Sequence, residues 1–135
     1  MQPPHTAQPR IAVVDNDAGT RQLLDDLLTD ERYAVTLWPG VDDPVAFVQA
    51  ATPDLVLLDL HLGGDFQAWD VIDALCGDGS VVAVPVIICS ADGITLKRDA
   101  PAFRDHGCVI VDKPFDLDDL LSAIRGSLSV TPQHR

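Results

Sequence analysis

Residues able to do chemistry stand at the ends of four apolar runs in this chain. Ile11-Ala-Val-Val14 is followed by Asp15-Asn16-Asp17, and Leu55-Val-Leu-Leu58 by Asp59. A third run, Val84 to Cys89, ends in Ser90, and a fourth, Cys108 to Val111, in Asp112-Lys113-Pro114. Two carboxylates brought close together repel unless a cation or a proton separates them. Donors that are all hard oxygens favour magnesium over zinc or copper. Magnesium takes few protein ligands and keeps waters, which leaves positions for phosphate oxygens. Lys113 supplies a flexible point charge for a carboxylate or phosphoryl group, and Ser90 a hydroxyl that can donate to a phosphoryl oxygen. A carboxylate nucleophile, a divalent ion, a cation and a hydroxyl donor are what phosphoryl transfer to an aspartate needs. Each residue also has a plainer reading: Asp15-Asn16-Asp17 as a helix cap, Asp59 and Ser90 as strand ends, Lys113 as a solvated side chain. Four separate strand ends carrying complementary chemistry outweigh those readings taken together.

The elements must bring these positions to one edge. Leu55 to Leu58 is apolar without alternation, the pattern of a strand buried on both faces of a parallel sheet. Tyr33 to Leu37 reads as a further strand, second in the chain. Between the strands lie amphipathic segments. Leu23, Leu24, Leu27 and Leu28 form one stripe of a first helix capped by Asp17. Asp42-Asp43-Pro44 opens a second helix that stops before Pro53. Trp69, Val71, Ile72 and Leu75 fit a third, ending at Gly77. Within Asp92 to His106, Leu96 and Phe103 suggest a fourth helix that Pro101 would interrupt or shorten. Asp116 caps a fifth, with Leu117, Leu120, Leu121, Ile124 and Leu128 on one face and Asp118 and Asp119 in its first turn. Five strands alternating with helices predict one α/β domain with a doubly wound, five-stranded parallel sheet of flavodoxin-like order 2-1-3-4-5. In that order strands one and three adjoin at the topological switch point. Asp15, Asn16 and Asp59 then share a cleft.

Composition bounds the rest. A length of 135 residues predicts a single domain, with a polar, disordered tail over residues 1–9, the domain over 10–128 and a short tail over 129–135. A net charge of −12 argues against nonspecific binding to nucleic acid or anionic membrane. The longest apolar run, Val81 to Cys89, is too short for a membrane span and contains Pro85. The start MQPPHTAQP has neither a basic nor an apolar region of a secretion signal. Cys76, Cys89 and Cys108 show no metal-binding spacing, and we read them as reduced packing residues of a cytoplasmic protein.

Four segments carry a family resemblance: Val13-Val-Asp15-Asn-Asp17, Pro53-Asp-Leu-Val-Leu-Leu-Asp59-Leu, Pro85-Val-Ile-Ile-Cys-Ser90-Ala91 and Asp112-Lys113-Pro114-Phe115. In this order they resemble the motif segments of response regulator receiver domains, from about residue 10 to residue 128. The resemblance implies that Asp59 accepts a phosphoryl group from a histidine kinase or a histidine phosphotransfer protein. It implies Mg2+ held by Asp59, Asp15, Asn16 and the backbone carbonyl of His61. It implies that Ser90 and Lys113 contact the phosphoryl group and shift with it. The chain is then a two-component or phosphorelay signalling module and not an enzyme. Its output goes through a downstream protein partner that the sequence does not name, and a homodimer stays open.

Departures from the family pattern fall at several places. Asn16 stands where a second acid is usual, so weaker magnesium binding is predicted. The loop after Asp59 lacks the usual proline and carries Gly63-Gly64. Ile110 occupies the position of a common aromatic switch residue. His61 and Asp92 occupy positions whose side chains tune phosphoryl lifetime in the family. Asn16 and Ile110 keep a second reading open, a degenerate receiver that binds partners without phosphorylation. A third, a magnesium-dependent phosphohydrolase with an aspartate nucleophile, lacks a cap domain or a substrate-sized insertion in the sequence. A flavin module fits less well, because the loop after the first strand is acidic where a phosphate cradle would be needed.

Overall fold

The structure, a computed structural model, describes residues 8–76 and 82–129. Residues 1–7 and 130–135 of the expected tails, the expected helix end at Gly77, and Val81 lie outside these. Five strands, β1 (Arg10–Val14), β2 (Ala34–Leu37), β3 (Leu55–Leu58), β4 (Val86–Ser90) and β5 (Val109–Asp112), form one parallel sheet in the order β2-β1-β3-β4-β5. Helices α1 (Ala18–Asp30), α2 (Pro44–Ala51), α3 (Ala68–Leu75), α4 (Gly93–Asp105) and α5 (Leu117–Ser129) connect and follow them. This is the predicted architecture. Among the described residues no helix is long and apolar enough to cross a membrane.

Strand alternation divides the core between the two faces. Ile11, Val13, Leu55, Leu57, Ile87 and Cys89 meet Leu24 and Leu28 of α1 and Leu120, Leu121 and Ile124 of α5. Ala12, Val14, Val56, Leu58, Val86 and Ile88 meet Val48, Val71, Ile72, Leu96 and Phe103 from the other helices. The three cysteines are buried and form no disulfide among the described residues, and burial pushes the Cys89 and Cys108 thiols up to about 12. They stay protonated and pack as small hydrophobes.

The expected caps form. Asp17 accepts from Thr20 N at 2.8 Å and Asp43 from Val45 N at 2.9 Å, with Pro44 in the first turn. Asp116 accepts from Asp118 N at 2.8 Å and, through its carbonyl, from Leu120 N at 3.0 Å. Several expectations are corrected. α4 runs through Pro101 without a break. Leu96, Ala100 and Phe103 recur at i, i+4 and i+7 and are all buried, so packing holds the helix on the sheet. Pro101 and Lys97 are exposed, and the carbonyl that loses its intrahelical donor can turn to water. Leu23 and Leu117, assigned to apolar stripes, are 52% and 43% exposed. Strand edges shift where helix ends claim the backbone: Tyr33 N donates to Leu28 O and Cys108 N to Phe103 O. β4 starts at Val86 because Pro85 has no N–H for a ladder.

Candidate functional site

Strands β1, β3 and β5 each deliver one charged group to the carboxyl edge of the sheet. Asp59 follows β3 directly, and its N–H donates to Val14 O at 2.9 Å, which ties it to the end of β1. Asp15 follows β1 with its side chain 4% exposed. One of its carboxylate oxygens accepts from Asp17 N at 2.9 Å and the other from Lys113 Nζ at 2.7 Å. The same ammonium lies 3.9 Å from Asp59 Oδ2. Lys113 N in turn donates to Ser90 O at 2.9 Å, so the lysine is anchored on β4. The predicted Asp15, Asp59 and Lys113 therefore do converge.

The electrostatics are unbalanced. Burial and the neighbouring Asp15 charge raise the Asp59 carboxyl above its usual range, against the pull of Lys113 and the His61 N–H. Burial alone would lower Lys113, yet its hydrogen bond to Asp15 and the charges of Asp59 and Asp15 leave it raised. Two carboxylates thus share one ammonium, and the site is short of positive charge. Among the described residues no three His, Cys, Asp or Glu side chains gather as a metal cluster. Asn16, next to Asp15 in the chain, adds an amide oxygen, and the backbone adds carbonyls. That donor set, few charges and all oxygen, suits a magnesium ion that keeps several waters.

Asn16 lies against the loop after Asp59. A Cβ on Gly63 would stand 3.2 Å from Asn16 Oδ1, and Gly63 has φ +81°. The next residue, Gly64, has φ +56° with nothing within 4 Å of such a Cβ. Gly64→Ala should therefore cost only backbone strain, about 1 kcal/mol. Gly63→Ala adds crowding of Asn16 and should cost about 2 kcal/mol. Thermal melts of the two variants side by side check the difference, and equal losses would remove the Asn16 contact as its cause.

The Gly-Gly turn is fastened at both ends. Leu62 is buried, His61 and Gln67 form an antiparallel bridge, and Phe66 meets Trp38 edge-on at 6.0 Å. Trp38, fully buried just past β2, donates from Nε1 to Asp42 O at 2.8 Å. The sequence reading did not single out this wedge, because Trp38 falls just outside the strand read over Tyr33 to Leu37.

Ser90 is buried at the end of β4, and its Oγ accepts from Asp92 N at 3.1 Å. Asp92 caps α4 through Thr95 N at 3.0 Å and also lies 3.0 Å from His61 Nε2. Its carboxyl is lowered to about 2, first by the Thr95 hydroxyl and N–H and then by His61. His61 and Asp92, singled out separately in the sequence, are one pair joining the loop after Asp59 to α4. Ile110 is partly buried on β5. It packs on the core and lines a groove with Leu96, Ala100 and Asp112.

Comparison with known proteins follows the geometry. The chain matches the family model described as response regulator receiver domain over residues 11–125. It is 33% identical over 124 residues to Protein Rrf1 of Nitratidesulfovibrio vulgaris, covering 89% of this chain and 83% of that protein. It is 27% identical over 122 residues to Regulatory protein VirG of Agrobacterium tumefaciens, covering 90% of this chain but only 44% of that longer protein. In fold it is similar to a CheY-like response regulator receiver domain protein from Methanospirillum hungatei. That crystal structure aligns with a TM-score of 0.78 at 20% identity, over 93% of this chain and 97% of the other.

Proposed function

Because this chain belongs to the response regulator receiver domain family, we propose that it is a phosphorylation switch whose phosphoacceptor is Asp59. The observation that carries the reading is the sharing of one ammonium, Lys113, by Asp15 at 2.7 Å and Asp59 at 3.9 Å. An Asp59 oxygen attacks the phosphorus of a phosphohistidine on a histidine kinase or phosphotransfer protein. The new P–O bond forms as the P–N bond breaks, and the imidazole leaves with the electron pair and takes a proton from water. Asp15, Asn16, Asp59 and the His61 carbonyl would hold a magnesium ion, which neutralises charge on the phosphoryl oxygens when bound. Lys113 stays within reach of the acceptor carboxylate and can follow the negative charge onto the phosphoryl group. The Ser90 hydroxyl, which accepts from Asp92 N, still has its own proton to donate to a phosphoryl oxygen.

Phosphorylation then biases two conformations of the carboxyl edge, and the signal leaves through a protein partner. The acidic chain and the absence of a membrane-crossing helix among the described residues favour a cytoplasmic setting and a protein target over nucleic acid.

The test is the intact mass of the full chain after incubation with acetyl phosphate, with and without magnesium. The expected result is one added phosphoryl group that requires the metal. No adduct, with no binding of beryllofluoride by calorimetry, would sink the reading and favour phosphorylation-independent partner binding. Multiple turnover of a phosphomonoester would favour a phosphohydrolase instead.

A further inference from the structure

At the end of β1 the backbone carbonyls pass from one kind of partner to another. Val13 O accepts from Trp38 N and Val14 O from Asp59 N, both at 2.9 Å. Asp15 O, the next carbonyl, accepts from a side chain: Arg21 Nη1 donates to it at 2.8 Å. Arg21 is half-buried in α1, where its own N–H bonds Asp17 O at 3.0 Å. The side chain folds back over the start of its helix to reach the loop before it. Gly40 makes the room. It has φ +93°, and a Cβ there would stand 3.2 Å from Arg21 Nη1.

The carbonyl that Arg21 holds belongs to the peptide joining Asp15 to Asn16, so its plane sets where the Asn16 side chain starts. That side chain ends against Gly63. One guanidinium and two glycines thus fix a peptide with a buried carboxylate on one side and a neutral amide on the other. A carboxylate attracts a cation from many directions. An amide oxygen is only a dipole, and its value as a ligand depends on how it is aimed.

Resting on the receiver reading above, we propose that Arg21 is a positioning residue for the cation site, acting through the Asp15–Asn16 peptide, with Gly40 as the position that admits its guanidinium. The sign of its effect separates this role from a simple charge effect. As a bare positive charge near the site, Arg21 would weaken magnesium binding, and its removal would tighten it. As a positioning group, its removal must loosen binding despite the relief of repulsion.

The experiment is magnesium titration of the full chain by calorimetry, without phosphodonor, alongside thermal melts without metal. Arg21→Met is expected to weaken magnesium about tenfold, as loss of an outer hydrogen bond to a metal site does. Arg21→Lys should recover part of that. In an Asn16→Ala background the same Arg21→Met change should cost less than about twofold, because the amide it aims is gone. Tighter or unchanged binding in Arg21→Met overturns the proposal, as does an undiminished loss in the Asn16→Ala background. If Arg21→Met does not fold, Gly40→Ala, which keeps the charge and crowds the guanidinium, carries the same comparison. A parent chain that binds no magnesium overturns the receiver reading itself, a result distinct from failure of the variants.

Discussion

Asp59→Asn is expected to abolish the magnesium-dependent phosphoryl adduct and, at neutral pH, to make the metal-free protein more stable. The first effect follows from chemistry: an amide oxygen of the same shape is no nucleophile toward phosphorus. The second follows from burial and the neighbouring Asp15, which raise the Asp59 carboxyl above its ordinary value of 3.8. In the unfolded chain this group ionises near that ordinary value, in the folded chain only at higher pH. The parent therefore loses stability as pH rises across that interval, and the asparagine variant does not. The gain opens just above pH 3.8, stays constant through neutrality and vanishes in acid. Its expected size is about 1 kcal/mol, that of relieving a strained functional group. Against this stands the lost attraction to Lys113, 3.9 Å away. That attraction is the weaker effect, since the carboxyl is raised in its presence. Mass spectrometry and melts at pH 4 and pH 7.5 check both halves. An adduct that persists, or a variant less stable at both pH values, would count against Asp59 as the strained acceptor.

Much of this site was legible before any coordinates because its residues sit where periodic patterns stop. Asp15, Asp59, Ser90 and Lys113 each follow an apolar run, and parallel order alone sends such positions to one edge. The fold was legible because short apolar runs without alternation, separated by amphipathic segments, mark strands buried on both faces of a parallel sheet. Arg21 was hidden because its partner is a backbone carbonyl six residues away, and a carbonyl leaves no mark in sequence. Gly40 was hidden with it: the glycine answers to a guanidinium from another element. The His61–Asp92 pair spans 31 residues and joins two loops, a distance at which no local periodicity operates. Pro101 misled in the other direction. Its local cost is plain in the sequence, and the burial of Ala100 and Phe103 that offsets it is not. Leu23 and Leu117 misled as well, since a stripe of leucines fixes the direction of a helix face but not how far the sheet covers it.

Lys113→Met should be the most destabilising change at the site, and its cost should depend on pH in a way that identifies the cause. Methionine keeps most of the aliphatic stem and removes the charge. Asp15, 4% exposed at the side chain, then loses its 2.7 Å partner, and the carboxylate pair loses the ammonium it shares. Removing one member of a buried ion pair typically costs 3–5 kcal/mol; with Lys113 itself partly open to solvent, about 3 kcal/mol is expected, or about 10 °C in Tm at this length. In the parent, Lys113 is raised above 10.5. Its contribution is therefore full below that pH and is lost only as pH rises through the higher folded value. In the variant the carboxylates alone set the penalty, and protonating one of them relieves it. The deficit should be greatest from neutrality to about pH 10 and should shrink toward both acid and strong alkali. Magnesium should shrink it too, because without the competing ammonium the variant's carboxylates bind the cation more tightly than the parent's, and mass action then stabilises the folded variant more. Melts across pH, with and without magnesium, measure these trends. A deficit that ignores both would mean that Lys113 acts by packing its stem. A deficit that yields to either would mean that the lysine stands in for the positive charge the two aspartates are arranged to attract, so that the shortage that weakens the fold is also what draws in the cation and the phosphoryl group.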